Sequence, residues 1–109
     1  MKIEIEKIIV KVKIIDQKKL KAIISLDFGD FIVKGFRVME SEYENPKGDK
    51  LWITPPSYVG MGKYHPIFYM PDKNLWKSLE IKMWSEYYKQ KNEYYKKQYD
   101  LDKDINLIS

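Results

Sequence analysis

The chain contains no cysteine. That excludes a disulfide scaffold, a thiolate zinc site and a cysteine nucleophile. It contains one histidine, His65, so a histidine-rich metal site or a pair of imidazole acid–base groups cannot be built within one chain. Arginine is equally scarce. Of the 20 cationic residues only Arg37 is arginine, and the others are lysine. Arginine is the usual reader of guanine edges in the major groove, so rich base readout is disfavoured while phosphate binding is not. No apolar run reaches the ~18 residues that suggest a membrane span.

What is present is enough for one domain. The chain has 109 residues, of which 44% are hydrophobic, so a real core is attainable. The formal net charge is +4, an ordinary solubility charge, but it is unevenly spread. Residues 1–40 hold nine cations and six anions, residues 41–70 three of each, and residues 71–109 eight and seven. The excess therefore sits in the N-terminal third. The opening Met1-Lys2-Ile3-Glu4-Ile5-Glu6 alternates charge with bulk. It reads as strand rather than secretion signal, and a cytoplasmic location is the resulting expectation.

The alternation continues from Ile3 to Ile15. Ile8, Val10, Val12 and Ile14 point one way, and Ile9, Lys11, Lys13 and Ile15 the other. Ile3 and Ile5 have the opposite parity, which a bulge near Glu6-Lys7 would correct. After the polar turn Asp16-Gln17-Lys18, Leu20, Ala22, Ile24 and Leu26 alternate with Lys19, Lys21, Ile23 and Ser25 in a second strand. A third strand spans Phe31 to Met39. Its apolar parity shifts at Gly35, and a bulge there aligns Phe31 and Val33 with Phe36 and Val38. Glu40 to Lys50 is a polar loop. Leu51 to Thr54 is a short strand stopped by Pro55-Pro56, residues 57–62 are loop, and Tyr64 to Met70 is a fifth strand. Asp72 is the natural N-cap of a helix over about 73–98, and 100–109 reads as a flexible tail. Strands first and a helix last, with local hairpin links, predict an α+β domain over 1–99: a mostly antiparallel sheet of about five strands and one long C-terminal helix.

At 100° per residue the helix shows two apolar stripes. Leu75, Trp76, Leu79, Met83 and Tyr87 can seat it on the sheet. Ile81, Trp84, Tyr88 and Tyr95 fall on nearly the opposite side, where a partner protein or a flat-faced ligand would cover them. The unit Glu-Tyr-Tyr-Lys occurs twice, at 86–89 and 93–96, too briefly for a coiled coil.

No enzyme signature is present. His65 has no catalytic partner type nearby, and Ser57 lacks the strand–turn–helix setting of a nucleophile elbow. Asp27 and Asp30 flank a glycine turn and read as turn-formers. No metal or cofactor is implied. The lysines are more informative. A hairpin about Gln17-Lys18 would place Lys11, Lys13, Lys19 and Lys21 on the sheet face opposite the core, with Lys18 at the tip. Such a patch suits phosphates, and the alternative is an ordinary solvated face. Around Pro55 to Tyr64, the residues Tyr58, Met61, Lys63 and Tyr64 suit stacking on unpaired bases or packing under the loop.

Leu20 to Leu26, Asp30 to Met39, Leu51-Trp52-Ile53 leading to Pro56-Ser57, His65-Pro66-Ile67 and Glu86-Tyr87 together resemble the stage V sporulation protein G (SpoVG, septation regulator) family over roughly residues 3–90. The resemblance implies a small homodimeric regulator that binds DNA or RNA and has a sheet followed by a helix. The family carries basic residues after Pro-Ser, whereas Tyr58-Val59-Gly60 stand here. The expected phosphate contacts are therefore Lys11, Lys13, Lys18, Lys19, Lys21, Lys63 and Arg37. The rival expectation is a protein-interaction module that uses Ile81, Trp84, Tyr88 and Tyr95.

Overall fold

Period-two alternation becomes a four-stranded antiparallel sheet, and the capped amphipathic segment becomes the helix that covers it. A computed structural model describes the backbone of residues 3–108 and the side chains of residues 3–63 and 65–99. The strands are β1 (Ile9–Ile14), β2 (Leu20–Asp27), β3 (Ile32–Glu40), β4 (Leu51–Thr54), β5 (Ser57–Gly60) and β6 (Lys63–Pro66), followed by α1 (Lys73–Ile108). β1 to β4 pair in sequence order, each antiparallel to its neighbour, while β5 and β6 form a separate hairpin. The architecture is the α+β class that the order of elements implies. Among the described residues no helix is long and apolar enough to cross a membrane.

One face of the sheet is the core. Val10, Ala22, Ile24, Leu26, Phe36, Val38, Leu51 and Ile53 are buried there, against Leu79, Met83, Trp84 and Tyr87 of α1. Phe36 meets Phe68 edge-on at 5.1 Å, and Trp76 lies over both rings. Each large apolar side chain so buried contributes about 1.5–3 kcal/mol of transfer free energy.

The phase of β3 depends on Gly35. Ser25 pairs with Lys34 and Ile24 with Phe36, so Gly35 is the extra residue of a bulge. Its φ of +100° is a conformation that L side chains rarely adopt. The bulge brings Val33, Phe36 and Val38 to the core side, as their spacing implies. Phe31 precedes the strand instead, and its ring stacks on Phe28 at 4.7 Å.

Two segments differ from the alternation reading. The strand begins at Ile9, and Ile5–Lys7 form one 3₁₀ turn. That turn does the work expected of a bulge, since Ile3 and Ile5 pack on the core with Ile8 buried beside them. The Lys82 ammonium donates to the carbonyls of Ile5 (2.7 Å), Glu6 (3.4 Å) and Ile8 at the end of the turn. Residues 57–62 also depart from a loop. Met61 (φ 52°) and Gly62 (φ 75°) both take positive φ, the signature of a two-residue type I′ turn, so Ser57–Gly60 pairs with Lys63–Pro66.

The start of α1 follows its cap. Asp72 Oδ1 accepts the backbone N–H groups of Asn74 and Leu75, each at 3.1 Å. No glycine or proline follows Pro71, so nothing in the chain stops the helix near Gln98, and its backbone continues to Ile108. The side chains of the expected tail, 100–109, lie outside the described residues.

Gly35→Ala tests the bulge. A Cβ there would meet nothing closer than Pro56 Cβ at 3.6 Å, so the loss comes from the backbone and not from crowding. Denaturant unfolding is expected to show a stability lower by about 1–2 kcal/mol with an unchanged m value.

Candidate nucleic-acid interface

The sheet face turned away from α1 is built from cross-strand rows. Lys13, Ile23, Arg37 and Thr54 face one another across β1 to β4. The next row is Lys11, Ser25 and Lys34, and beyond it lie Ile9, Asp27 and Ile32. On the other side of the first row Met39 pairs with Trp52. Rows on one face lie ~7 Å apart, and β1 is separated from β3 by about 10 Å. Lys11, Lys13, Lys34 and Arg37 thus stand at the corners of a small rectangle, all exposed. Two unit charges about 10 Å apart in water repel by only about 0.4 kcal/mol, less in salt, so the fold tolerates the cluster.

Among the described residues none of these four cations has a carboxylate within ion-pair distance. Asp27 is the acid nearest in register, and its Oδ1 already accepts the Gly29 N–H at 2.8 Å. Apolar groups fill the spaces between the charges. Ile9 (56% exposed), Ile32 (53%) and Trp52 (54%) are open to solvent, and Ile23 and Met39 are half-buried.

The expected phosphate ligands separate into groups. Of the expected cluster Lys11, Lys13, Lys19 and Lys21, the first two share the outer face, where Arg37 and Lys34 join them. Spacing alone does not single out Lys34, although Gly35 beside it carries the signal. Lys18 and Lys19 are exposed at the β1–β2 turn, at the margin of the face. Lys21 is a correction. The register shifts between Leu20 and Ala22, and the Lys21 carbonyl accepts both Ile15 N–H and Asp16 N–H. The displaced Lys21 side chain folds back to the Gln17 carbonyl (2.9 Å) and stands 3.9 Å from Glu40. Lys63 belongs to the β5–β6 hairpin, a different sheet.

The second apolar stripe of α1 is also a correction. Trp84 is 5% exposed and belongs to the core, and Tyr88 packs against it. Tyr88 Oη accepts from Asn45 Nδ2 at 2.8 Å and donates to Asp49, so the polar loop between β3 and β4 reaches that flank of the helix. Tyr95 Oη donates to Asp16 Oδ1 at 3.2 Å, tying the β1–β2 turn to the same flank. Only Ile81 and Tyr95 of the four remain exposed, and Tyr95 is hydrogen-bonded. The protein's own loops thus engage the hydroxyls of Tyr88 and Tyr95, and Trp84 joins the core, while Ile81 stays open.

A cleft of about 240 Å³ opens where those loops meet α1, lined by Asp16, Lys21, Glu40, Asp49, Lys50, Tyr87, Lys91 and Tyr95 among others. Its acids and bases are interspersed, which suits neither a polyanion nor a cation. Among the described residues no cluster of three or more His, Asp or Glu could hold a metal. His65 stacks on Tyr58 at 5.0 Å, and its Nε2 lies 3.1 Å from the Gly60 carbonyl. A carbonyl only accepts, so Nε2 carries the proton and the ring braces the hairpin. Comparison with family models, curated proteins and solved structures finds no match to this chain.

The phenols on this flank of α1 make the fold sensitive to alkali. Burial, followed by the nearby Tyr88, pushes Tyr87 up to about 12. Burial and the bond to Asp49 raise Tyr88, and burial and Asp16 raise Tyr95. The folded state therefore holds these protons more tightly than the unfolded chain, whose phenols titrate near 10. The contribution of Tyr87 is complete below about pH 10 and is lost as pH rises through about 12, and the raised Tyr88 and Tyr95 act in the same direction. Unfolding free energies measured by circular dichroism should fall across that window, and Tyr87→Phe should flatten the fall.

Proposed function

We propose that the protein is a non-enzymatic nucleic-acid-binding regulator that meets its ligand with the outer face of β1 to β4. The observation that carries this reading is the gathering of Lys11, Lys13, Lys34 and Arg37 on one open face, with no ion-pair partner among the described residues. Unpaired surface cations facing phosphates release condensed counterions, a gain that salt suppresses. The lysines at the turn, Lys18 and Lys19, extend the same margin. The resemblance to SpoVG-like regulators over residues 3–90 agrees with this reading, although the contacts here come from the sheet and not from the segment after Ser57.

A homodimer, implied by the same resemblance, is part of the proposal. β1 is an edge strand of the sheet, and antiparallel pairing of two such edges would continue the lysine rows from one protomer into the other. The interaction-module reading has lost its main support, because Trp84 and Tyr88 are covered from within the chain.

Binding to labelled DNA and RNA at roughly 50 and 200 mM salt tests the proposal. Affinity should fall steeply between the two. Replacing Lys34 and Arg37 together by glutamine should weaken binding at low salt and make the log–log salt slope shallower by about 1.4–1.8. Lys21→Gln, which alters the cleft, should leave that slope unchanged. Absence of salt-sensitive binding to any nucleic acid would retire the proposal.

A further inference from the structure

We infer that the outer sheet face takes single-stranded nucleic acid, with Trp52 as the platform on which a base stacks. This inference rests on the nucleic-acid reading above and narrows it to one form of ligand.

The first consideration is width. The major groove of a B-form duplex is about 12 Å wide and admits a helix or a two-stranded ribbon. Four strands at ~4.8 Å spacing span about 14 Å between the outer backbones, before side chains are added. The intact sheet therefore cannot enter a groove. Against a duplex it could only lie across the phosphate ridges.

The second consideration is what such a docking would do to the apolar groups. Ile9, Ile23, Ile32, Met39 and Trp52 lie in the same rows as the cations or in adjacent ones. Pressed onto phosphates, they would dry charged oxygens without offering a hydrogen bond, which is unfavourable. A single strand presents both kinds of surface. Its phosphates suit Lys11, Lys13, Lys34 and Arg37, and its unpaired bases offer flat apolar faces to the side chains between them.

Trp52 is placed for this role. The chain has three tryptophans. Trp84 is buried and Trp76 packs on the core, but Trp52 is 54% exposed. Among the described residues no aromatic ring pairs with Trp52, although most other aromatic side chains near the core stack on one another. On β4 it shares its face with Thr54, which stands opposite Arg37. The indole is thus one row, ~7 Å, from the Lys13–Arg37 row, so a base on Trp52 and its neighbouring phosphates can be held together. Stacking accepts any base, which accords with a chain that has a single arginine for edge readout.

The test compares a short labelled oligonucleotide with its blunt duplex, on the unaltered protein and on Trp52→Ala, Trp52→Tyr and the Lys34→Gln/Arg37→Gln pair. The single strand should bind more tightly than the duplex and quench tryptophan fluorescence. Trp52→Ala should weaken single-strand binding on the order of 5- to 100-fold with an unchanged salt slope, and Trp52→Tyr should restore most of it. Trp52 points outward on an edge strand, and circular dichroism of the tyrosine variant checks the fold. Equal affinity for the duplex would overturn the inference. So would an unaffected Trp52→Ala beside a weakened Lys34→Gln/Arg37→Gln pair, while nucleic-acid binding itself would stand. If Trp52→Ala converts a dimer to a monomer and no oligonucleotide binds, the face is a contact between copies, and both the inference and the broader reading fall.

Discussion

The division of this sheet into a dry side and a charged side depends on one backbone angle. At Gly35 the chain takes φ +100°, and one residue drops out of the pairing between β2 and β3. Without it a regular strand would send Val33 and Phe36 to opposite faces, and Lys34 would share a face with Phe36. Either a cation would enter the core or a phenylalanine would leave it. The bulge keeps Phe36 fully buried and aims Lys34 and Arg37 the same way. Packing and the proposed function therefore share a single requirement.

The remaining charges show how differently lysines are used in the same small domain. Lys82 is spent on backbone carbonyls, Lys21 on Gln17 and Glu40, and Lys91 stands over the rings of Tyr87 and Tyr88 at 5.9 and 5.7 Å. Those on the outer face have no such partner among the described residues. A net charge of +4 would not distinguish these cases, and position in the register does. The aromatic residues divide likewise: Trp76, Trp84 and Tyr87 consolidate the core, while Trp52 faces water beside the cations.

Much of the fold was legible in the chain. Alternation placed β1 to β4, Asp72 announced the helix, and the parity break at Gly35 announced the bulge. The β5–β6 hairpin was hidden because Met61, a residue with little taste for positive φ, holds half of its turn. Lys21 was misplaced because the register shift at Leu20–Ala22 has no glycine to mark it. Trp84 and Tyr88 looked uncovered because Trp84 joins the core and Tyr88 is held by Asn45 and Asp49, all remote in sequence. Local periodicity finds faces, but not the loops that close over them.

The grip of Lys82 on the turn at Ile5–Lys7 joins the first element to the first third of the last one. On a ribosome this has a temporal meaning. The strands emerge with one greasy flank bare, and the turn's carbonyls wait until some eighty further residues have left the exit tunnel. Native closure thus waits for α1, and a truncated product lacking that helix would be left adhesive rather than merely inactive.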